Sequence, residues 1–333
     1  MSKPAPHPSK RIGIVGVGMS VPKKVLTNFD LEKMVDTTDE WIRTRTGIRE
    51  RRIVEPGTTT SELAYPAAKE ALKQAGVHGK DLDLIIVGTT SPDMIFPSTA
   101  CVLQDRLGAK SAVCFDLAAA CSGSVFSIIT AQQYLMSGRY TRALVVGAEI
   151  ISNFVDWTDR STCVLFGDGA GACVMTPVSR GGILTTDMGS DGSAADLLYI
   201  PGGGSKHPSS HQSVDQRLHY LRMNGVEIFK LAARRMAESI LTVVKDAGLK
   251  PEDIDCVIPH QANVRIIQAV AKCAGLPMEK IFMNVERYGN TSAASNLIAL
   301  YEAVEEGHVR KGSYVVLVAF GAGLTWGSIL LHW

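Results

Sequence analysis

The stretch "ALKQAGVHGKDLDLIIVG", beginning at Ala71, returns later in the chain as "TVVKDAGLKPEDIDCVIPH", ending at His260. Ala75-Gly76 stands against Ala247-Gly248, 172 positions on (247 − 75), and Asp81-Leu82-Asp83 stands against Asp253-Ile254-Asp255 at the same spacing. Each copy reads as a helix ending at Ala-Gly, a polar turn and an Asp-flanked strand. A second echo sets "SGRYTRALVVGAE" before the midpoint against "EGHVRKGSYVVLVAFG" near the end. Two ordered echoes at similar offsets predict an internal duplication rather than chance reuse of one α/β unit. The boundary is expected near "TPVSR" (176–180), giving halves 11–178 and 179–333 that share one core.

Five runs read as short strands: "RIGIVGVG" (11–18), "DLIIVGTT" (83–90), "ALVVGAE" (143–149), "DCVIPH" (255–260) and "SYVVLVAFG" (313–321). They are β-branched and bounded by Gly or Asp, the pattern of buried strands in an α/β fold. Residues 62–74 and 231–247 read as helices between them. In the second, Met236, Ile240, Val243, Val244 and Ala247 share one face. With 46% hydrophobic but only 6% aromatic residues, the core should be aliphatic and closely packed.

Net charge is +1, so no global field points to nucleic acid or membrane, and any basic patch must be local. No apolar run is long enough to span a bilayer. Residues 1–10, "MSKPAPHPSK", read as a disordered leader rather than a signal peptide, and the protein is expected to be cytoplasmic. The seven cysteines are odd in number and none forms a CxxC pair, so neither a disulfide framework nor a metal site is expected. His207, His211 and His219 lie in the polar stretch 200–220; their spacing fits no helical face and predicts a flexible lid.

Three separated residues carry chemistry. Cys121 follows a strand-like run ending at Phe115-Asp116 and precedes a helical stretch, 125–135, whose N-terminus would stabilise a thiolate. His260 ends a strand and opens into Gln-Ala-Asn, where it can bond a substrate oxygen or exchange a proton. Asn290 follows Gly289 at a turn before the helical stretch 292–305 and offers an uncharged N–H donor. Alone, each suits a structural role: a buried thiol, a satisfied histidine, a helix cap. Together they suit thioester chemistry, with a nucleophilic sulfur and two oxyanion donors. The order Cys, His, Asn leaves hydrolysis open, although no CGSCW-like sequence surrounds the cysteine.

With these residues placed, the chain resembles the 3-oxoacyl-acyl carrier protein synthase III family of thiolase-fold condensing enzymes. The resemblance runs from Arg11 to Trp333 through "DEWIRTRTGIRERR", "DLAAACSG", "FGDGAGA", "HQAN", "GNTSAAS" and "AFGAGLTWGS", in that order. It implies an α/β thiolase-like fold, with duplicated βαβαβαββ halves in an α-β-α-β-α arrangement of layers. It also implies the initiating step of type II fatty-acid synthesis. Cys121 would accept an acyl group from acyl-CoA, acetyl by default, with His260 and Asn290 then holding the enolate formed as malonyl-acyl carrier protein loses CO2. The backbone N–H groups of Cys121 and Ala322 would form the oxyanion hole, and neither metal nor organic cofactor would be needed.

Further roles follow from the resemblance alone. Trp41 and Arg160 would sandwich the adenine of CoA, Thr37 and Arg45 would contact its base and phosphates, and Asn263 its pantetheine arm. Lys230, Arg265 and Lys272 would receive the acidic carrier protein. Phe166 and Phe320 would line the site, and Phe96 would reach across a homodimer to close the partner's acyl pocket. Three positions depart from the family pattern: Ala322, Leu324 and Val226, the last replacing a pantetheine-contacting asparagine. Primer length is not legible. Related condensing enzymes of secondary metabolism, a CoA-dependent acyltransferase or thioesterase, and a silent carrier-binding subunit are the alternatives.

Overall fold

A computed structural model describes residues 11–333; the expected leader, 1–10, lies outside the described residues. Nine strands form two sheets: β1 (Arg11–Ser20), β2 (Leu84–Gly88), β3 (Val113–Leu117), β4 (Ala143–Glu149), β5 (Gly169–Val178), β6 (Gly182–Ser190), β7 (Cys256–Pro259), β8 (Tyr314–Gly321) and β9 (Thr325–His332). The first sheet has the order β1-β5-β4-β2-β3 and the second β6-β9-β8-β7. Strand senses repeat as well. The outer two pairings of each sheet, β1–β5–β4 and β6–β9–β8, are antiparallel, while β4–β2–β3 and β8–β7 are parallel. The second sheet has no counterpart of β3 beyond one parallel bridge, Val257 to Ile281.

The principal helices are α1 (Asp39–Thr46), α2 (Thr60–Ala75), α3 (Thr99–Leu107), α4 (Gly123–Met136), α5 (Gly225–Asp246), α6 (Val264–Ala274) and α7 (Ser295–Glu305). Alternation along the strands decides where they pack. Ile85, Val87, Leu144 and Val146 face an outer cluster with α2 and α3, while Leu84, Ile86, Val145, Leu317 and Ile329 face α4 and α7 between the sheets. Val257, Val316, Val318 and Leu330 face α5 and α6 on the far side. The order of layers is therefore helix, sheet, helix, sheet, helix. β2, β4, β7 and β8 are buried on both faces, which needs an unbroken apolar sequence and makes them legible in the chain; β1 is legible from its β-branched run although Val15 is exposed. β5, β6 and β9 are less so, because "GAGACVMTPV", "GILTTDMGS" and "TWGSILLH" carry glycines and polar residues where side chains meet helices or edges.

α4 and α7 begin side by side at the centre of the molecule. Each is preceded by a 3-10 turn, Ala120–Ser122 and Ser292–Ala294, and each turn opens on a left-handed residue, Ala120 at φ +45° and Ser292 at φ +49°. Close approach permits this: a Cβ on Gly147 of β4 would stand 2.3 Å from the Ala293 carbonyl oxygen. The polar stretch 200–220 contains a short helix, His211–Asp215, and is exposed over most of its length.

Candidate active site

A cavity of about 410 Å³ runs from Trp41 and Arg45 at one end to Cys121, His260, Asn290 and Phe320 at the other. Three of the sequence-derived residues thus meet at one place, delivered by different elements. Cys121 sits in the turn before α4, His260 follows the last residue of β7, and Asn290 precedes the turn into α7. All three are nearly buried, at 6%, 3% and 7% exposure.

Cys121 does meet a helix start, yet burial pushes its thiol up to about 12. Burial thus opposes the thiolate that the helix start favours, and the Ser292 hydroxyl beside the sulfur acts against burial. Gly321, at the end of β8, lies against it; a Cβ there would stand 2.7 Å from the Cys121 nitrogen. Ala322 follows, half-buried, its carbonyl accepting from the Thr325 hydroxyl at 3.1 Å. Ser122, silent in the sequence, bonds the Thr325 carbonyl at 3.3 Å and so ties the nucleophile turn to β9.

The imidazole of His260 is lowered to about 4 by burial, so it is neutral at physiological pH. Its Nδ1 lies 2.7 Å from Ser295 Oγ, which also accepts from the Gln261 N–H at 3.3 Å. The Ser295 hydroxyl has no other acceptor for its proton among the described residues, which assigns that proton to Nδ1 and the ring proton to Nε2. Asn290 is oriented similarly. Its Oδ1 accepts from the Ser292 N–H at 2.9 Å, leaving the Nδ2 amide as donor. The base of the cavity thus offers a sulfur nucleophile and two neutral N–H donors, which can hold a developing oxyanion without handing it a proton.

Phe166 and Phe320, 3% and 4% exposed, line the same cavity, as do Asn263 and Val226. Asn263 also caps α6, its Oδ1 accepting from the Ile266 N–H at 2.9 Å. At the outer end the Arg160 guanidinium rests on the Trp41 ring at 4.9 Å from its centroid, and Arg45 lies at 5.6 Å. A base sandwiched between Trp41 and Arg160 needs two stacking contacts of about 3.5 Å each, so Arg160 must swing outward to admit one. Thr37 has a buried hydroxyl with no partner among the described residues.

Other expected residues lie away from the cavity. Phe96 is 82% exposed beside Ile95 at 83%, and neither touches it. Lys230 on α5 and Arg265 and Lys272 on α6 are exposed on adjoining helices, with Lys230 held by Glu227 at 2.8 Å. Among the described residues no three His, Cys, Asp or Glu side chains gather as metal ligands, and no helix is long and apolar enough to cross a membrane. Three residues were not singled out from sequence: Ser295, Ser292 and Glu149. A carboxylate ending the apolar run "ALVVGAE" was the available signal for the last, since buried charges seldom occur without a task.

A model of 3-oxoacyl-[acyl-carrier-protein] synthase III matches residues 115–192, and one of its C-terminal part matches 244–333. A beta-ketoacyl-[acyl-carrier-protein] synthase III of Symbiobacterium thermophilum is 55% identical over 323 residues, 97% of this chain and 98% of that protein. The crystal structure of the 3-oxoacyl-[acyl-carrier-protein] synthase III of Aquifex aeolicus superposes with a TM-score of 0.90 at 50% identity, covering 97% of this chain and all (100%) of that one. The priming β-ketosynthase of the R1128 polyketide pathway also superposes, with a TM-score of 0.90 at 34% identity over 99% of this chain and 98% of that one.

Proposed function

The chain belongs to the 3-oxoacyl-acyl carrier protein synthase III family, the initiating condensing enzymes of type II fatty-acid synthesis, and from that premise we propose how its own residues divide the reaction. The carrying observation is one cavity that joins Trp41 and Arg45 to Cys121, His260 and Asn290. A CoA nucleotide held at the mouth directs its acyl thioester inward to the sulfur. Cys121 Sγ bonds to the acyl carbon, the C–S bond to CoA breaks, and CoA leaves.

Malonyl-acyl carrier protein then enters the same cavity. As its carboxylate leaves as CO2, negative charge gathers on the thioester oxygen. The Nε2–H of His260 and the Nδ2–H of Asn290 hold that oxygen, and the enolate carbon attacks the Cys121 thioester. The backbone N–H groups of Cys121 and Ala322 receive the tetrahedral oxyanion. Phe320 and Phe166 keep water from the carbanion. Loss of CO2 itself creates the nucleophile, so the scheme calls on no metal or cofactor. Acetyl is the proposed primer, delivered in the cytoplasm.

Lys230, Arg265 and Lys272 form the carrier-protein patch in this reading; charge reversal at the three should raise KM for malonyl-acyl carrier protein and flatten its salt dependence. The exposed Phe96 supports a homodimer in which it enters the partner's acyl pocket.

Labelled acyl-CoA primers of increasing length, followed by malonyl-acyl carrier protein, test the scheme. Cys121→Ser should not load any primer. His260→Ala and Asn290→Ala should load normally and lose decarboxylation; normal decarboxylation by both removes their assigned role. Trp41→Ala should raise KM for acyl-CoA about tenfold with little change in the loading rate at saturation.

A further inference from the structure

The reaction as described leaves a buried carboxyl beside the nucleophile unused. Glu149, the last residue of β4, is fully buried. Its Oε2 accepts from the hydroxyls of Ser91 and Thr89, and its Oε1 from the Thr90 hydroxyl at 3.1 Å; the Thr90 N–H bonds both oxygens at 3.2 Å. Oε1 also stands 3.1 Å from the hydroxyl of Ser292, and that hydroxyl stands 3.5 Å from Cys121 Sγ. No cation is among these partners, and Cys121 is the one other titratable side chain the network reaches.

With one negative charge in the network, counting protons leaves two arrangements. The Ser91 hydroxyl oxygen accepts from the Ile150 N–H at 2.8 Å, and that of Thr89 from the Ser91 N–H at 3.1 Å, so both spend their own protons on Glu149. Ser292 has one hydroxyl proton and two neighbours that need one. Either the Cys121 thiol donates to Ser292 and Ser292 donates to a Glu149 carboxylate, or a protonated Glu149 donates to Ser292 and Ser292 donates to a Cys121 thiolate. Two protons moved along two hydrogen bonds interconvert these arrangements, and the buried group carries one negative charge in each.

We propose that Ser292 and Glu149 are a proton relay that receives the Cys121 thiol proton during acyl loading, Ser292 touching the sulfur and Glu149 acting through it as a positioning residue. The proposal rests on Cys121 being the nucleophile. Burial raises both the thiol and the carboxyl and so works against any charge in this pocket, while the donors from Ser91, Thr90 and Ser292 hold one charge at the carboxyl and leave no support for a second. The α4 N-terminus lies on the sulfur side and favours the thiolate arrangement. As the primer's carbonyl carbon bonds to Sγ, the thiol proton rests on Glu149, and the departing CoA thiolate takes its proton from water. During condensation Cys121 leaves as a thiolate and recovers the proton from Glu149 through Ser292. In between, Glu149 is uncharged while enolate charge builds up nearby.

Single-turnover loading of the full-length enzyme with acetyl-CoA, read as CoA release between pH 6 and 9, separates the possibilities. The relay predicts a wild-type rate that varies little with pH. Ser292→Ala and Glu149→Gln should each be about a hundredfold slower at neutral pH and gain about tenfold per pH unit, because the thiol must then lose its proton to solvent. Iodoacetamide alkylation of Cys121 should slow in parallel. Removing the Glu149 charge without a relay would make the thiol more acidic, so unchanged or faster loading by Glu149→Gln overturns the proposal. Should that variant not fold, a wild-type proton inventory in mixed H2O and D2O still decides: curvature marks two protons in flight, and a straight line overturns the relay. If Cys121→Ser still accepts acetyl, the nucleophile assignment itself has failed, whatever the other variants do.

Discussion

Neutrality is what His260 and Asn290 have in common, and pH tests it. An unfolded histidine titrates near 6.5, whereas buried His260 is lowered to about 4. Decarboxylation that depends on its neutral ring should therefore persist through pH 6 and fail only as pH nears 4. Stability follows the same window. Above pH 6.5 both folded and unfolded chains hold the ring neutral; as pH falls toward 4 only the unfolded chain gains the proton, and roughly 3 kcal/mol is lost. Urea melts of wild type and His260→Asn at pH 7.5 and 4.5 check this, the wild-type advantage shrinking at acid pH. Ser295→Ala removes the donor that selects the ring tautomer and should slow decarboxylation about tenfold while loading is unchanged. That Cys121, His260 and Asn290 are candidates for one site could be read from residue type and position, and they line one cavity. Ser295, Ser292 and Glu149 lie within quoted stretches of sequence, but their parts depend on distances between elements far apart in the chain, which spacing does not encode.

The elements show why Cys121 and Asn290 converge. Ala120 and Ser292 are left-handed residues 172 positions apart (292 − 120), the same offset that relates Ala75-Gly76 to Ala247-Gly248. Each opens the turn into a central helix, so one turn design is used twice, once to present Cys121 and once to place Ser292 beyond Asn290. Helices expected over 125–135 and 292–305 are Gly123–Met136 and Ser295–Glu305, the second shortened because Ser292–Ala294 is a 3-10 turn. Sequence periodicity finds such helices but not the strained residue ahead of them. The contact at Gly147 seats the second of these turns against β4. Gly147→Ala would push a methyl into the Ala293 carbonyl, and should cost about 1–3 kcal/mol in urea denaturation and slow acyl loading.

At the scale of the molecule, the sheets have four edges. β1 and β6 run against each other, a Cβ on Gly182 falling 2.7 Å from the Ile12 carbonyl oxygen. β7 is fully buried and covered by the segment bridged at Ile281. β3 differs: Val113 is 43% exposed and the rest of the strand is only half-buried. Phe96→Asp combined with Val113→Lys should yield monomers in analytical ultracentrifugation, with native circular dichroism and impaired loading, if the proposed homodimer completes the acyl pocket. The shrinkage of the second sheet's fifth strand to one bridge then has an arithmetic consequence. A chain with two equivalent open edges could add copies at both ends and grow without limit. In the proposed homodimer, one edge left means that each copy would satisfy only one other, and growth would stop at two.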